Sequence, residues 1–128
     1  MMKPSTPPPP SPEDEALIRD YLLHHIIQSA LERDIRILKT LKLKTADLYI
    51  LNLQLIKKGN SDHAWFIQQQ MRKRGIRIHS QNRTAKEGLQ VQYLCRGYEG
   101  SLLCEWHSLK EEIKDRLVSY LGTNLAAY

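Results

Sequence analysis

The sequence predicts a mainly α-helical α+β fold with three N-terminal helices, an antiparallel β-hairpin and a C-terminal helix. The first half of the chain carries long stretches of 3.6-residue apolar periodicity, with no glycine or proline between Glu13 and Lys58. From Ile76 the apolar period changes to two, as in a half-buried strand. Gly97 and Gly100 then separate this region from a last amphipathic stretch.

The first ten residues are expected to form a disordered, proline-rich tail. They include five prolines and little apolar mass, so burial cannot offset the entropy cost of ordering them. We expect one ordered domain over residues 11–122, which is within the usual size range of a single domain. Residues 123–128 are expected to form a C-terminal tail.

The first helix is predicted to begin at Ser11, whose side chain can cap it, and to continue to Thr40. A helix of this length extends about 42 Å, whereas a compact domain of this size has a radius of gyration of about 14 Å. A protruding half would leave its apolar arc in water, and a second copy is the simplest cover. The sequence therefore predicts a homodimer. The alternative is a break near Arg33-Asp34, with both halves packed inside the monomer.

Two more helices are predicted before the hairpin. Thr45 can cap the second, and Gly59 is expected to end it. A third helix is predicted over residues 62–74, with Gly75 as its C-terminal stop. The hairpin is predicted over residues 76–95, with a long, mobile tip between Ser80 and Gly88, and the last helix over residues 101–121.

Positive charge is concentrated in one segment. The formal net charge is +5, yet residues 72–96 hold seven basic residues against one acid, a local net charge of +6, and the rest of the chain carries −1. The order of helices and hairpin is close to that of a winged helix-turn-helix protein, in which the third helix enters the major groove and the hairpin contacts the backbone. We therefore expect a small, non-enzymatic DNA-binding protein, such as a regulator. The expected nucleic-acid-binding residues are Gln69, Arg72, Lys73, Arg77, Arg83 and Lys86.

The alternative is a helical, oligomeric adaptor or assembly protein with no nucleic-acid activity. A continuous exposed apolar patch on the first helix or the last helix would favour this alternative. A convex basic face free of acids would favour DNA binding.

Neither a metal site nor a catalytic site is expected. Cys95 and Cys104 are expected to be free thiols, as in a reducing compartment. A zinc site built from these cysteines with His79 and His107 matches no standard ligand spacing, and a helix wheel places Cys104 opposite the apolar stripe of the last helix. No nucleophile elbow, metalloprotease helix or phosphate-cradling glycine loop occurs. We expect no enzyme activity, no cofactor and no small-molecule substrate.

The sequence predicts a cytoplasmic protein without a membrane partner. No apolar run approaches the roughly 18 residues needed to span a bilayer. Prolines follow the first residues where a signal peptide needs an apolar segment.

Overall fold

A computed structural model describes the backbone of residues 6–126 and the side chains of residues 6–120. The described chain is an α+β fold with three helices and one three-stranded antiparallel sheet. The elements are, in order, α1 (Pro12–Thr40), α2 (Ala46–Lys73), β1 (Ile76–Arg83), β2 (Gly88–Cys95), β3 (Tyr98–Glu105) and α3 (Trp106–Ala126). Residues 1–5 of the predicted tail, and the last two residues of the chain, lie outside the described residues.

The first helix begins and ends where its sequence predicts. Ser11 accepts a hydrogen bond from the Asp14 backbone, and the Asp14 carboxylate accepts one from the Ser11 backbone, which completes a capping box. Pro12 occupies the first turn, where its missing N–H costs nothing. The helix is continuous through Arg33-Asp34 and ends at Thr40.

The prediction of three N-terminal helices is wrong, because residues 46–73 form one helix. Ile56, Asn60 and Ile67 are all buried on the side of α2 that packs against α1. The Asn60 side chain, which directly follows the expected stop at Gly59, donates to the carbonyl oxygen of His24 on α1. Packing across the break signal at Gly59 therefore overrides the local propensity to stop. Helices α1 and α2 form a helical hairpin, and the order expected of a winged helix is not present.

The predicted β-hairpin belongs to a larger sheet in the order β1-β2-β3. Strand β1 extends to Arg83, so the tip comprises only residues 84–87 and is shorter than predicted. Arg96 and Gly97, both with positive φ, form a two-residue turn that aligns Cys95 with Tyr98. Residues 98–105, expected as a loop and the start of the last helix, form β3 as a result.

The core lies between the sheet and the proximal halves of α1 and α2, which are the ends of these helices near the sheet. Alternate residues of β2, from Leu89 to Cys95, point into it. Cys104 is also fully buried there, because it lies on β3 rather than on the outer side of a helix. Helix α3 adds Leu109 to this core, and its backbone continues past Gly122 to Ala126. A second, smaller cluster around Ile27, Leu31 and Ile56 joins α1 to α2 farther from the sheet.

Candidate interaction surfaces and a buried polar cluster

The structure brings together some of the predicted nucleic-acid-binding residues at the junction of α2 and β1. Arg72 and Arg77 are exposed and line the same open groove of about 890 Å³. Gln69 is half-buried and Lys73 is exposed on the last turns of α2. These four residues therefore lie close to the point where α2 ends and β1 begins.

The other two predicted residues lie elsewhere, because a β-bulge interrupts β1. The pairing with β2 shifts between Ile78 and Ser80, so Arg77 lies opposite Leu94 whereas Arg83 lies opposite Leu89. Leu94 and Leu89 point to opposite faces of the sheet, as residues an odd number of positions apart on a strand do. Arg77 and Arg83 therefore lie on opposite faces, near the two ends of the strand.

Arg83 and Lys86 both lie at the hairpin tip, where Arg83 contacts an aromatic ring. The Arg83 guanidinium carbon lies 5.9 Å from the centroid of the Trp106 ring, within cation–π range. The Trp106 indole donates a 2.6 Å hydrogen bond to the Thr84 carbonyl oxygen. Lys86 shares a shallow pocket with Glu87 and Glu105, so the basic tip is not free of acids.

Two further arginines of the basic segment are engaged by a buried carboxylate. Arg96 contacts Asp14 at 2.7 Å and Arg74 contacts it at 3.2 Å, while Asp14 is only 1% exposed. These contacts, the Arg96 hydrogen bond foremost, hold the pKa of Asp14 well below its ordinary value of 3.8. Arg74 also pairs with the exposed carboxylate of Glu13. The two arginines thus join α1 to the sheet and to the end of α2.

We call residues 36–55, the half of the helical hairpin that lies away from the sheet, the distal hairpin. Many of its apolar side chains are exposed. Ala46 is the one buried residue in this range. Leu48, Leu51 and Leu55 follow one side of α2 at helical spacing and are 67%, 50% and 49% exposed. The other large exposed apolar side chains of the distal hairpin are Ile37, Leu41, Leu43 and Tyr49. Trp65 and Phe66 are exposed farther along α2.

A buried polar cluster lies between the two helices where they approach α3. His24, 1% exposed, shares a 2.7 Å hydrogen bond between its Nδ1 and Asn60 Oδ1. Arg116 of α3 donates to His24 Nε2 at 3.2 Å and forms an ion pair with Asp20. His63 of α2 stacks edge-on against His24, with ring centroids 4.5 Å apart. Burial is the main reason that the pKa of His24 is lowered, so its imidazole is held neutral.

Sequence inspection did not identify this cluster as a unit. Asp20 and His24 are four residues apart on α1 and therefore share a face, a spacing that could have revealed half of it. The pairing with Asn60 and His63 depends on the alignment of α1 with α2, which the predicted break near Gly59 concealed.

The cysteines are free, as predicted, and both are buried in the core. Burial raises the pKa of both thiols, which makes them weak nucleophiles and weak metal ligands at neutral pH. Within the described part of the chain, the one group of three or more histidine, cysteine or carboxylate side chains close enough to hold a metal is Asp20, His24 and His63.

These features define a small α+β protein with a protruding helical hairpin, two surfaces suited to macromolecular contacts and one buried polar cluster. Residues 9–125 match a protein family described as YhjD protein, and the chain belongs to that family. No curated protein and no solved structure matches the chain. None of the described helices combines the length and apolar character needed to cross a membrane.

Proposed function

We propose that this chain is a non-enzymatic assembly protein that forms a homodimer through the distal hairpin. The observation that carries the proposal is the row of exposed leucines at positions 48, 51 and 55 on α2. Exposed apolar side chains in a contiguous row typically mark a protein-binding surface. Burying a leucine fully is worth roughly 1.5–3 kcal/mol, so three half-exposed leucines from each of two copies provide a substantial driving force.

The charges at the two ends of this row favour a second copy as the partner. Asp47 precedes the leucines and Lys58 follows them, and both are exposed on about the same side of α2. If two copies of α2 pack antiparallel about a two-fold axis that passes between positions 52 and 53, Asp47 faces Lys58 of the partner subunit and Leu51 lies close to the axis. The same contact occurs twice, as an isologous interface requires. This surface is thus complementary to itself in charge, and its apolar row would pack against the same row of the second copy.

The association state tests this proposal. Light scattering at micromolar concentration should give a mass of about twice the 14.9 kDa of the chain. Leu51→Glu should yield monomers, because it places like charges beside the two-fold axis. Gln81→Glu adds the same charge at an exposed polar position of β1, away from the distal hairpin, and should leave the dimer intact. A mass near 15 kDa that persists when the wild-type protein is concentrated would rule out the dimer.

A charge exchange tests the antiparallel arrangement separately. Asp47→Lys should weaken the dimer, since two lysines would then face each other at both ends of the interface. Combining Asp47→Lys with Lys58→Asp should restore dimerisation. Failure of the double variant to recover, with both single variants folded, would contradict this arrangement.

DNA binding is a second candidate function, favoured by the groove at the junction of α2 and β1. Arg72 and Arg77 line that groove, and Gln69 and Lys73 lie nearby on α2. Arginines and lysines contact phosphates, and a glutamine can bond an adenine edge. Arg83 and Lys86 lie at the far end of the hairpin, away from this groove. The residues at the groove are therefore the better candidates for contacting DNA.

Binding to a random DNA duplex at two salt concentrations tests this function. Charge-driven binding weakens with salt by a log-log slope of about −0.9 per phosphate neutralised. Arg72→Ala and Arg77→Ala should each weaken binding and flatten the slope, whereas Arg83→Ala should have little effect. Absence of binding at low salt would exclude this function.

A further inference from the structure

The buried polar cluster has the donor atoms and spacing of a metal site. Asp20 and His24 project from successive turns of α1, with 3.7 Å between Asp20 Oδ1 and His24 Nε2. Adding His63 of α2 gives three donor atoms that all lie within 4.8 Å of one another. Donors bound tetrahedrally to zinc at about 2.0–2.1 Å lie about 3.4 Å apart. Small side-chain rotations would therefore bring all three into a coordination sphere.

The hydrogen bonds around His24 determine which of its ring nitrogens is free to bind a metal. The Asn60 amide nitrogen donates to the His24 carbonyl oxygen at 3.0 Å and to Gln28 Oε1 at 2.9 Å. The Asn60 oxygen therefore faces His24 Nδ1, which must carry the proton of the neutral ring. This leaves Nε2 as the unprotonated nitrogen, and it lies 3.7 Å from Asp20 Oδ1. A ligand histidine fixed through its other nitrogen by an amide or carboxylate is the usual arrangement around protein-bound metals.

The Asp20 carboxylate needs a positive charge beside it, because one of its oxygens is buried. Asp20 Oδ1 is shielded from solvent and accepts no well-aligned hydrogen bond, although it lies in an ion pair with Arg116. Arg116 also donates to His24 Nε2, so the guanidinium occupies two of the three donors that a metal would use. The Arg116 side chain is 27% exposed, so it can turn outward into solvent without leaving a buried charge.

We propose that Asp20, His24 and His63 bind a divalent transition-metal ion of the Zn²⁺ type, in exchange with the guanidinium of Arg116. Two imidazole donors and one carboxylate suit zinc and its neighbours, whereas calcium and magnesium prefer oxygen donors throughout. Three protein ligands leave the remaining coordination positions to water or to a ligand from solution. The metal bridges α1 and α2, whereas Arg116 bridges α1 and α3, so the exchange changes which helices are linked.

Calorimetric titration of the chelator-treated full chain with Zn²⁺ tests the site. We expect one equivalent to bind and the melting temperature to rise by several degrees. His63→Ala should weaken binding at least tenfold, because it removes one of the three ligands, and His63 is exposed. His25→Ala removes a neighbouring exposed histidine outside the cluster and should leave binding unchanged.

Arg116→Gln provides the decisive comparison, because it removes the competing cation without removing a ligand. It should tighten Zn²⁺ binding, whereas a purely structural role of Arg116 predicts no change in metal affinity. Substituting Co²⁺ should give d–d absorption bands without the thiolate charge-transfer band that binding to Cys95 or Cys104 would produce. The proposal is overturned if neither the wild type nor Arg116→Gln binds one equivalent, or if His63→Ala binds as tightly as His25→Ala.

Discussion

Asp14 shows how a single side chain can join several elements. It completes the capping box of α1, and its carboxylate accepts hydrogen bonds from Arg74 at the end of α2 and from Arg96 in the β2–β3 turn. Arg96 also donates to the Arg74 carbonyl oxygen, and its backbone N–H donates to that of Gly75. The sequence predicted the helix start at Ser11, because capping depends on neighbours along the chain. It did not reveal the ion pairs, because they join positions about 60 and 80 residues apart.

Asp14→Asn should lower the free energy of unfolding by roughly 3 kcal/mol near neutral pH, because breaking a buried ion pair leaves its partners uncompensated. The lowered pKa of Asp14 makes its contribution depend on pH. Above the ordinary value of 3.8 the carboxylate is charged in both states and the stabilisation is fully present. Below it the unfolded chain takes up the proton first, so the stabilisation is lost progressively as the pH falls.

Urea denaturation of both proteins at pH 7 and pH 3 measures this effect. The difference in unfolding free energy between the wild type and Asp14→Asn should be smaller at pH 3. Glu13→Gln is the matched control, because Glu13 also pairs with Arg74 but is exposed. Such a surface pair contributes about 0–1 kcal/mol. Equal effects of the two substitutions would contradict the role assigned to Asp14.

At the scale of elements, local signals predicted α1 and the first two strands, and packing determined the rest. The continuity of α2 depends on side chains that contact α1, which local propensity does not report. The third strand was missed because Arg96-Gly97 is not one of the usual hairpin sequences such as Asn-Gly. The bulge in β1 has no clear sequence signal, yet it places Arg77 and Arg83 on opposite faces of the sheet. The helix end and hairpin that carry the candidate DNA-binding residues were therefore predictable, but the division of these residues between two separate surfaces was not.

Gly59→Ala tests the continuity of α2 directly. A glycine inside a helix costs roughly 0.5–1 kcal/mol relative to alanine. A Cβ added at Gly59 would lie 3.8 Å from the Tyr120 ring, an ordinary van der Waals distance. We therefore expect Gly59→Ala to raise the free energy of unfolding by that amount. If Gly59 instead ended a helix in a left-handed conformation, alanine would be destabilising.

Gly75→Ala serves as the comparison for this measurement. Gly75 has a φ of +69°, and a Cβ there would approach Arg96 Cγ at 3.2 Å. The left-handed conformation costs an alanine about 1–2 kcal/mol. The two substitutions should therefore change stability in opposite directions, and a loss of stability in both would argue against a continuous α2.

The end of the molecule near the sheet and the distal hairpin differ in how many elements pack together. The end near the sheet combines elements of all types around one core, with Asp14 and the buried polar cluster as polar links. The distal hairpin has α1 and α2 alone, and Ala46 is its one buried residue. The sequence predicted this protrusion from the length of the first helix, and the continuity of α1 confirms that the helix does not break. Dimerisation would bury the exposed apolar side chains of the distal hairpin against a second copy of the chain.

The proline-rich N-terminus contacts the sheet through its backbone. The carbonyl oxygens of Pro7, Pro8 and Pro9 accept hydrogen bonds from Tyr98 Oη and the Arg96 guanidinium, at 2.8–3.1 Å. These contacts are exposed, so water can replace them when residues 1–10 are deleted. Arg96 keeps its contacts with Asp14 in the shortened chain.

We therefore expect deletion of residues 1–10 to lower the melting temperature by no more than about 4 °C, which corresponds to about 1 kcal/mol for a domain of this size. Scanning calorimetry of the shortened and full chains makes the comparison. Tyr98→Phe in the full chain removes the Pro7 contact alone and should account for only part of any loss. A drop of 10 °C or more on deletion would mean that the prolines are an integral part of the fold, because exposed hydrogen bonds alone cannot supply so much stability.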